Sequence, residues 1–109
     1  MTDTADVVVV GGGVHGASTA WHLAKRGAGK ITLVEKEGIA SGASGWSSAI
    51  VRHHYTLESL IKITMYGREM FGDWENIVGI GESGFREVGL LLLFPEDEVP
   101  HAREVSEMQ

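Results

Sequence analysis

The sequence predicts an α/β fold that begins with a βαβ unit. Three observations support this prediction: an unbroken β-branched run at Val7–Val10, a glycine-rich turn directly after it, and a second apolar run, Ile31–Val34, that is followed by an acidic residue. Four consecutive valines suit a strand that is buried on both faces of a parallel sheet. A crossover between two such strands makes them parallel and the connection right-handed.

The segment between the two runs has the pattern of an amphipathic helix over residues 13–26. One face carries small and apolar residues at helical spacing, namely Val14, Ala17, Ala20, Trp21, Leu23 and Ala24. Lys25 and Arg26 stand in the last turn, where cations oppose the negative end of the helix dipole. Gly27 can adopt the left-handed conformation that ends a helix.

The glycine-rich turn has GxGxxG spacing at Gly11, Gly13 and Gly16. The first glycine allows the tight turn, the second lets a pyrophosphate approach the backbone, and the third lets the helix pack closely. Unpaired amides at the helix start then face the phosphates. Glu35 stands about twenty residues further on, where a carboxylate meets a ribose hydroxyl pair. A solvated glutamate after a glycine-rich surface turn would not explain this order, so we predict a nucleotide-binding site.

Length, charge and composition exclude several classes of protein. A chain of 109 residues is too short for a dinucleotide-binding domain plus a substrate domain. It has no cysteine, which excludes a disulfide framework and agrees with a reducing cytoplasm. The net charge of −6 without a basic stripe gives no reason to expect nucleic acid. The apolar runs are too short to span a bilayer, and the start does not have the pattern of a signal peptide. We therefore expect a cytoplasmic protein.

A polar loop, GIASGASGWSS, follows the second strand over residues 38–48. Its composition fits a flexible surface loop. It fits equally well a set of amides and hydroxyls gathered around a second part of a polyanionic cofactor. The hydroxyls belong to Ser41, Ser44, Ser47 and Ser48.

An arginine and three ring side chains come next, at residues 52–55. For an arbitrary chain, a solvated Arg52 and a surface pair of histidines is the simplest interpretation. Adjacent histidines point in different directions on a helix or a strand, and no carboxylate stands at ligand spacing. We therefore predict no metal site.

The remaining sequence predicts a helix, a strand and the start of another helix. Thr56 is the expected N-cap of a helix that continues to about Asn76. Its core-facing residues are expected to be Leu57, Leu60, Ile61, Thr64, Met65, Phe71, Trp74 and Val78. The run FREVGLLLLF over residues 85–94 predicts a strand that Pro95 ends. Residues 96–109 predict a helix with Pro100 in its first turn.

Four motifs together resemble the D-amino-acid oxidase-like family of flavoproteins, and above all its sarcosine oxidase and dimethylglycine dehydrogenase branch. They are GGGVHGAS, the glutamate after the second strand, the loop SGASGWSSAIVRHHY, and the later run GFREVGLLLLF. The first motif is common to many FAD and NAD proteins, whereas the loop that ends in Arg-His-x-Tyr is more specific.

The resemblance implies FAD as the cofactor and assigns its contacts. Contacts to the diphosphate fall on Gly11, Gly13 and Gly16, and Val14 and His15 between them also bind the cofactor. Glu35 binds the adenosine ribose, and Lys36 lies on the adenine side. Contacts that run toward the flavin ring fall on Ser41, Ser44, Ser47 and Ser48.

The resemblance also implies a substrate site. Arg52 falls where relatives similar to monomeric sarcosine oxidase place an arginine that grips the substrate carboxylate, a task suited to a planar guanidinium. His53 and Tyr55 match in kind and are expected to shape the site. The implied reaction is oxidation of an amine or an N-methyl amino acid, in which a hydride equivalent passes to the flavin and the imine is then hydrolysed.

Two residues depart from the family pattern. Ser47 follows Trp46 where the covalent dehydrogenases have a histidine, so attachment of flavin through this loop is not expected. Ala49 stands where monomeric oxidases carry a second arginine, which weakens the expectation of direct reaction with oxygen. The resemblance also allows for a partner subunit or an electron-acceptor protein.

Three alternatives remain open from the sequence. One is an NAD-dependent dehydrogenase on the same βαβ start. Another is a flavoprotein that acts on 2-hydroxy acids or glycerol phosphate. The third is a non-catalytic module that binds FAD or contacts a subunit.

The expected organisation is an FAD-binding part over residues 1–80 and the start of an α+β substrate domain over residues 81–109. Two parallel strands that are apolar on both faces need neighbouring strands and helices to bury them. We therefore expect these residues to be the N-terminal part of a longer polypeptide, inactive as a fragment.

Overall fold

A computed structural model of the chain describes residues 4–109. These residues form two compact units, one that ends at Ile50 and one that begins at Val51. The division at Ile50 follows from the contacts between residues. The functional boundary expected near residue 80 is a separate matter and stays a prediction.

The first unit is the predicted βαβ unit. Strand β1 covers Val7–Val10, helix α1 covers Val14–Lys25, and strand β2 covers Ile31–Val34. The two strands are parallel, with Val7 opposite Ile31 and Val10 opposite Val34. The α/β class, both strands and the crossover helix are thus confirmed.

Helix α1 ends as its sequence predicts. Gly27 has φ +70°, its N–H donates to the Ala24 carbonyl at 3.0 Å, and the N–H of Ala28 donates to the Leu23 carbonyl at 3.1 Å. This pair of hydrogen bonds is the Schellman motif, which satisfies two of the carbonyls at the helix end.

The start of β2 is tied to the start of β1 through Asp6. The Asp6 N–H donates to the Lys30 carbonyl at 3.0 Å, and the Lys30 N–H donates to Asp6 Oδ2 at 2.6 Å. Gly29 has φ +88°, and a Cβ there would overlap the Asp6 carboxylate. Glycine is therefore required where the chain enters β2.

The expectation that β1 is buried on both faces is wrong for this unit. Val7 and Val9 are half-buried, whereas Val8 is 56% and Val10 is 82% exposed. Helix α1 packs against both strands and covers a single face of the two-stranded sheet. The predicted apolar face of α1 is only partly buried as well, because Val14, Ala17 and Ala24 are exposed while Ala20, Trp21 and Leu23 are half-buried.

The polar loop contains a short helix that the sequence did not predict. Helix α2 covers Ala43–Trp46. Four residues are too few to show a helical period, which is why composition alone indicated only a loop.

The second unit is helical. Helix α3 covers Glu58–Gly72, α4 covers Trp74–Ile77, and α5 covers Val99–Met108 after a 3₁₀ turn at Glu96–Glu98. Pro100 lies in the first turn of α5, as predicted. The N-cap of α3 is Leu57, without a side-chain hydrogen bond, so the prediction that Thr56 caps this helix is wrong.

The predicted strand over residues 85–94 is wrong, because none of these residues is in a strand. Val88 is 88% and Leu91 is 84% exposed, and Gly89 has φ +76°. A strand needs a partner to satisfy its backbone groups, and an apolar run alone does not supply one.

The buried side chains of the second unit are Ile61 and Val105, each 1% exposed. Ile61 belongs to the predicted core face of α3, but Leu57 and Leu60 of that face are exposed. None of the helices within residues 4–109 has the length and apolar character needed to cross a membrane.

Candidate dinucleotide-binding site

The turn from β1 into α1 has a conformation that requires glycine at two positions. Gly11 has φ +104°, and its N–H donates to the Val34 carbonyl at 2.8 Å, which brings the turn across to the end of β2. At Gly16, a Cβ would overlap the Gly11 carbonyl oxygen. The third glycine of the motif therefore makes room for the first, in addition to its predicted packing against the strand.

Glu35 reaches back from the end of β2 to the middle of the glycine turn. Its Oε2 accepts the N–H of Gly12 at 2.6 Å, and its Oε1 accepts the N–H of Glu37 at 3.1 Å. Gly12 is buried, and a Cβ there would lie 2.9 Å from Ile39 Cδ1 and 3.1 Å from Glu35 Cγ. The carboxylate and its stem are thus packed directly on the turn.

The pKa of Glu35 is lowered from its ordinary value of 4.5. The hydrogen bond from Gly12 is the largest cause, followed by the one from Glu37, because amide donors stabilise the charged form. Partial desolvation opposes this shift, and the positive charge of Lys36 adds to it. Glu35 is therefore a carboxylate at neutral pH.

Ser44 contacts the start of α1. Its Oγ accepts the N–H of Val14 at 2.9 Å, and a Cβ at Gly13 would lie 3.1 Å from the same oxygen. A serine hydroxyl that accepts one hydrogen bond still has its own proton to donate. Helix α2, which carries Ser44, thereby places a hydroxyl donor at the N-terminus of α1.

Gly12 and Ala40 are two residues that the sequence analysis missed. The Ala40 N–H donates to the Gly12 carbonyl at 3.0 Å, and Ala40 has the left-handed φ of +60°. The one sequence signal for Gly12 was the run of three glycines, since the motif requires only the first and third. Nothing in the sequence distinguishes Ala40 from the other small residues of its loop.

The other predicted loop contacts do not reach the glycine turn through an observed hydrogen bond. Ser41, Ser47 and Ser48 are exposed, and Ser47 Oγ accepts the N–H of Ala49, at 3.2 Å. The ammonium group of Lys36 lies 3.4 Å from a carboxylate oxygen of Glu37.

Three amides at the start of α1 make no hydrogen bond to the described part of the protein. Within residues 4–109, the N–H groups of Gly13, His15 and Gly16 have no hydrogen-bond acceptor, whereas that of Val14 is bonded to Ser44. Helix N-termini with such open amides attract anions through both the N–H groups and the helix dipole. Bare backbone at Gly13, open amides and an adjacent carboxylate fit the diphosphate and ribose of a dinucleotide.

The predicted substrate residues lie in the second unit, beside one another in sequence. Arg52 is exposed, and its guanidinium carbon lies 5.2 Å from the centre of the Tyr55 ring. His53 and Tyr55 are half-buried. Among residues 4–109, no carboxylate pairs with Arg52, so its donors are available to a ligand.

His54, which was given no role, contacts other parts of the second unit. Its Nδ1 lies 3.0 Å from Gln109 Nε2, and its ring centre lies 6.2 Å from that of Phe94. In the part of the chain that the structure describes, no three histidine or acidic side chains are grouped to hold a metal ion.

A parallel βαβ unit with a glycine turn at the helix start is the architecture of dinucleotide-binding proteins. Comparison with known proteins makes the class specific, because a model of the family described as FAD dependent oxidoreductase matches residues 6–109. The chain belongs to this family, whose members use FAD. The resemblance found in the sequence is thereby confirmed.

Several characterised relatives are similar over parts of the chain. The 4-methylaminobutanoate oxidase (formaldehyde-forming) of Paenarthrobacter nicotinovorans is 31% identical over 94% of this chain and 13% of its own length. The sarcosine oxidase subunit beta of Rhizobium meliloti is 45% identical over 48% of this chain and 13% of its own length. A glycerol-3-phosphate dehydrogenase of Mycobacterium leprae is 42% identical over 63% of this chain and 12% of its own length.

The chain thus spans about one eighth of the length of these relatives. No solved structure matches it.

Proposed function

We propose that the protein oxidises an amine or an N-methyl amino acid with FAD as the electron acceptor. The observation that carries the cofactor part of the proposal is the open helix start of α1. Its open amides at Gly13 and His15 adjoin two amides that are bonded to side chains from beyond β2, Gly12 to Glu35 and Val14 to Ser44. The amides and the Ser44 hydroxyl suit the diphosphate of a dinucleotide, and the Glu35 carboxylate suits its ribose.

The proposed contacts follow from these groups. Bare backbone at Gly11 and the open amides of Gly13, His15 and Gly16 would hold the diphosphate. Val14 would contribute through Ser44, which accepts its N–H and can donate its own hydroxyl proton to the diphosphate. Glu35, as a carboxylate, would accept from the ribose hydroxyls, with Lys36 on the adenine side. Ser41, Ser47 and Ser48 would line the path toward the flavin. When bound, FAD supplies an acceptor for a hydride equivalent from the carbon beside the substrate nitrogen.

Arg52 is the proposed binding group for a substrate carboxylate. It has no carboxylate partner among the described residues, and contact with the Tyr55 ring restricts its guanidinium through a cation–π interaction. Two parallel N–H groups of a guanidinium match the two oxygens of a carboxylate. His53 and Tyr55 would shape the site. Two relatives are named for oxidation of methylamino acids, which supports this substrate class.

The remaining parts of the proposal concern partners and location. Ser47, which follows Trp46, has no imidazole that could bond the flavin covalently through this loop. Ala49 has no charged group that could lie near the flavin. We therefore propose that a partner subunit or an acceptor protein takes part, in line with the relative that is named as a subunit. A cytoplasmic location stays a prediction.

The test is to replace Arg52 with lysine in the native protein. We expect the KM for an N-methyl amino acid to rise about tenfold or more, because hydrogen bonds to charged groups contribute roughly 1.5–3 kcal/mol. The visible flavin spectrum and the FAD dissociation constant should not change. Arg86→Lys is the matched control, since Arg86 is an exposed arginine of the same unit. An unchanged KM in Arg52→Lys would contradict the assignment.

A second candidate function is oxidation of glycerol phosphate, which the Mycobacterium leprae relative favours. An arginine also binds phosphate in bidentate fashion, so Arg52 fits both substrates. A panel of N-methyl amino acids, 2-hydroxy acids and glycerol phosphate separates the candidates. A native protein that is colourless and binds neither FAD nor NAD when supplied would exclude both.

A further inference from the structure

We infer that Glu35 is also a positioning residue, which holds the glycine turn in the shape that receives the diphosphate by fixing the Gly12 amide. This inference rests on the proposed function. It assigns to Glu35 a role that does not depend on the ribose.

The first step is the strength of the contact. Glu35 Oε2 accepts the Gly12 N–H at 2.6 Å across 23 residues of sequence. Hydrogen bonds from amides to carboxylates are shorter and stronger than neutral ones. The other oxygen is held by the Glu37 N–H, so the carboxylate plane is fixed by two donors. Its Cγ would lie 3.1 Å from a Cβ at Gly12, which shows that the stem also packs on the turn.

The second step is the rigidity of the peptide group. The N–H of Gly12 and the carbonyl of Gly11 belong to one planar trans peptide and point in opposite directions. Anchoring the N–H therefore sets the direction of the Gly11 carbonyl. This is the oxygen that a Cβ at Gly16 would overlap. Glu35 thus determines which way the carbonyl faces at the point where the turn meets α1.

The third step concerns the next peptide group. The Gly12 carbonyl accepts the Ala40 N–H at 3.0 Å, and the Gly13 N–H belongs to the same plane. This amide must therefore point away from Ala40, and it has no acceptor within residues 4–109. Two consecutive peptide planes are held from the β2 side, which leaves the Gly13 amide oriented for an anion before any ligand binds.

The experiment compares two probes that differ only at the ribose, ADP and 2′,3′-dideoxy-ADP, on the native protein after removal of flavin. Dissociation constants are measured by calorimetry for the parent, Glu35→Ala and Glu35→Gln. Glu37→Gln is the matched control, because Glu37 bonds Glu35 only through its backbone N–H and its carboxylate makes only an exposed ion pair with Lys36.

We expect Glu35→Ala to weaken binding of 2′,3′-dideoxy-ADP by about tenfold, the loss of one hydrogen bond to a charged group. In Glu35→Gln the amide oxygen can still accept from Gly12, while its NH2 group cannot accept from Glu37, so the contact to the turn is kept and binding should stay within about threefold of the parent. Because Glu35→Gln removes the negative charge, it also excludes a purely electrostatic effect on the diphosphate. Glu37→Gln should match the parent.

A second measurement does not require flavin removal. Amide exchange at Gly12 in the flavin-loaded protein should be slow in the parent and in Glu35→Gln, and fast in Glu35→Ala. Equal exchange in all three proteins, or weaker binding of ADP alone with unchanged binding of 2′,3′-dideoxy-ADP, would overturn the positioning role and leave the proposed function intact. A parent that binds neither FAD nor ADP would overturn the proposed function itself.

Discussion

At the scale of single residues, the negative charge of Glu35 holds the backbone of the glycine turn through hydrogen bonds. Its carboxylate is surrounded by amide donors from Gly12 and Glu37, and it lies beside the open start of α1. The same negative charge that attracts these amides suits ribose hydroxyls, which are also donors. One side chain can therefore order the turn and recognise the sugar, provided that it stays ionised.

The lowered pKa of Glu35 predicts a dependence of stability on pH. Because the pKa in the folded state lies below the ordinary value of 4.5, the contribution of Glu35 is fully present above that value. It is lost as the pH falls through the folded pKa. Denaturant unfolding of the native protein from pH 7 to pH 3 should show this loss in the parent but not in Glu35→Gln.

The comparison of these two proteins isolates the effect. Glu58, whose pKa is also lowered by its hydrogen bond to Lys62, is present in both and cancels in the difference. Glu37→Gln should retain the loss seen in the parent. A difference between parent and Glu35→Gln that is constant over the whole pH range would contradict the prediction.

Sequence patterns identified the residues with a fixed spacing but not the direction of the backbone groups between them. Gly11, Gly16 and Glu35 follow from the motif, and the structure places them around one turn. The roles of Gly12 and Ala40 depend on which way a peptide plane faces. Residue type alone does not encode that direction, so these two contacts could not be predicted.

At the scale of secondary-structure elements, glycine has opposite effects in the two long helices. Gly27 ends α1 with a left-handed φ of +70°, whereas Gly67 lies inside α3, where an added Cβ would meet no atom within 4 Å. An alanine is strained at the first position and is the best helix former at the second.

We therefore expect Gly27→Ala to lower the free energy of unfolding of the native protein by about 1–2 kcal/mol. Gly67→Ala should raise it by about 1 kcal/mol. The two variants make the same chemical change and serve as controls for each other in thermal and denaturant unfolding. Shifts of the same sign in both would show that the left-handed conformation at Gly27 is not what stabilises the end of α1.

The elements that the sequence predicted correctly are those whose stability is mostly local. Helix α1 has its period and its Schellman end, and β1 and β2 are apolar runs joined by one crossover. The run over residues 85–94 is equally apolar, but a strand depends on a neighbour that a pattern does not specify. Helix α2 is too short to show any period.

At the scale of the whole molecule, little of the apolar surface is buried. Ile61 and Val105 are the fully buried side chains of the described residues, while Val10, Leu91 and Leu93 are each more than 80% exposed. Burial of apolar surface is the main force that opposes chain entropy. The 109 residues alone therefore have a weak basis for a cooperative fold.

This predicts the behaviour of residues 1–109 expressed alone. We expect weak near-UV circular dichroism, binding of a hydrophobic dye and no cooperative thermal transition, as in states that keep secondary structure without fixed packing. The native protein serves as the control. Strong amide protection and a sharp transition in the isolated segment would contradict this expectation.

Family membership could be predicted from the sequence because its motifs are local, and the match over residues 6–109 confirms it. The substrate could not, because the chain spans about one eighth of its relatives and these are named for more than one reaction. Arg52 fits a carboxylate and a phosphate alike, so its presence cannot decide between them.

The contacts at Gly12 have a consequence for insertions and deletions. Glu35 bonds to the amide of this glycine and Ala40 bonds to its carbonyl. The four residues between Glu35 and Ala40 therefore form a ring whose two ends are both held at Gly12. Side chains in that ring can change freely where they face solvent. The number of residues cannot, because one more or one fewer would move Ala40 off the carbonyl while Glu35 stays in place.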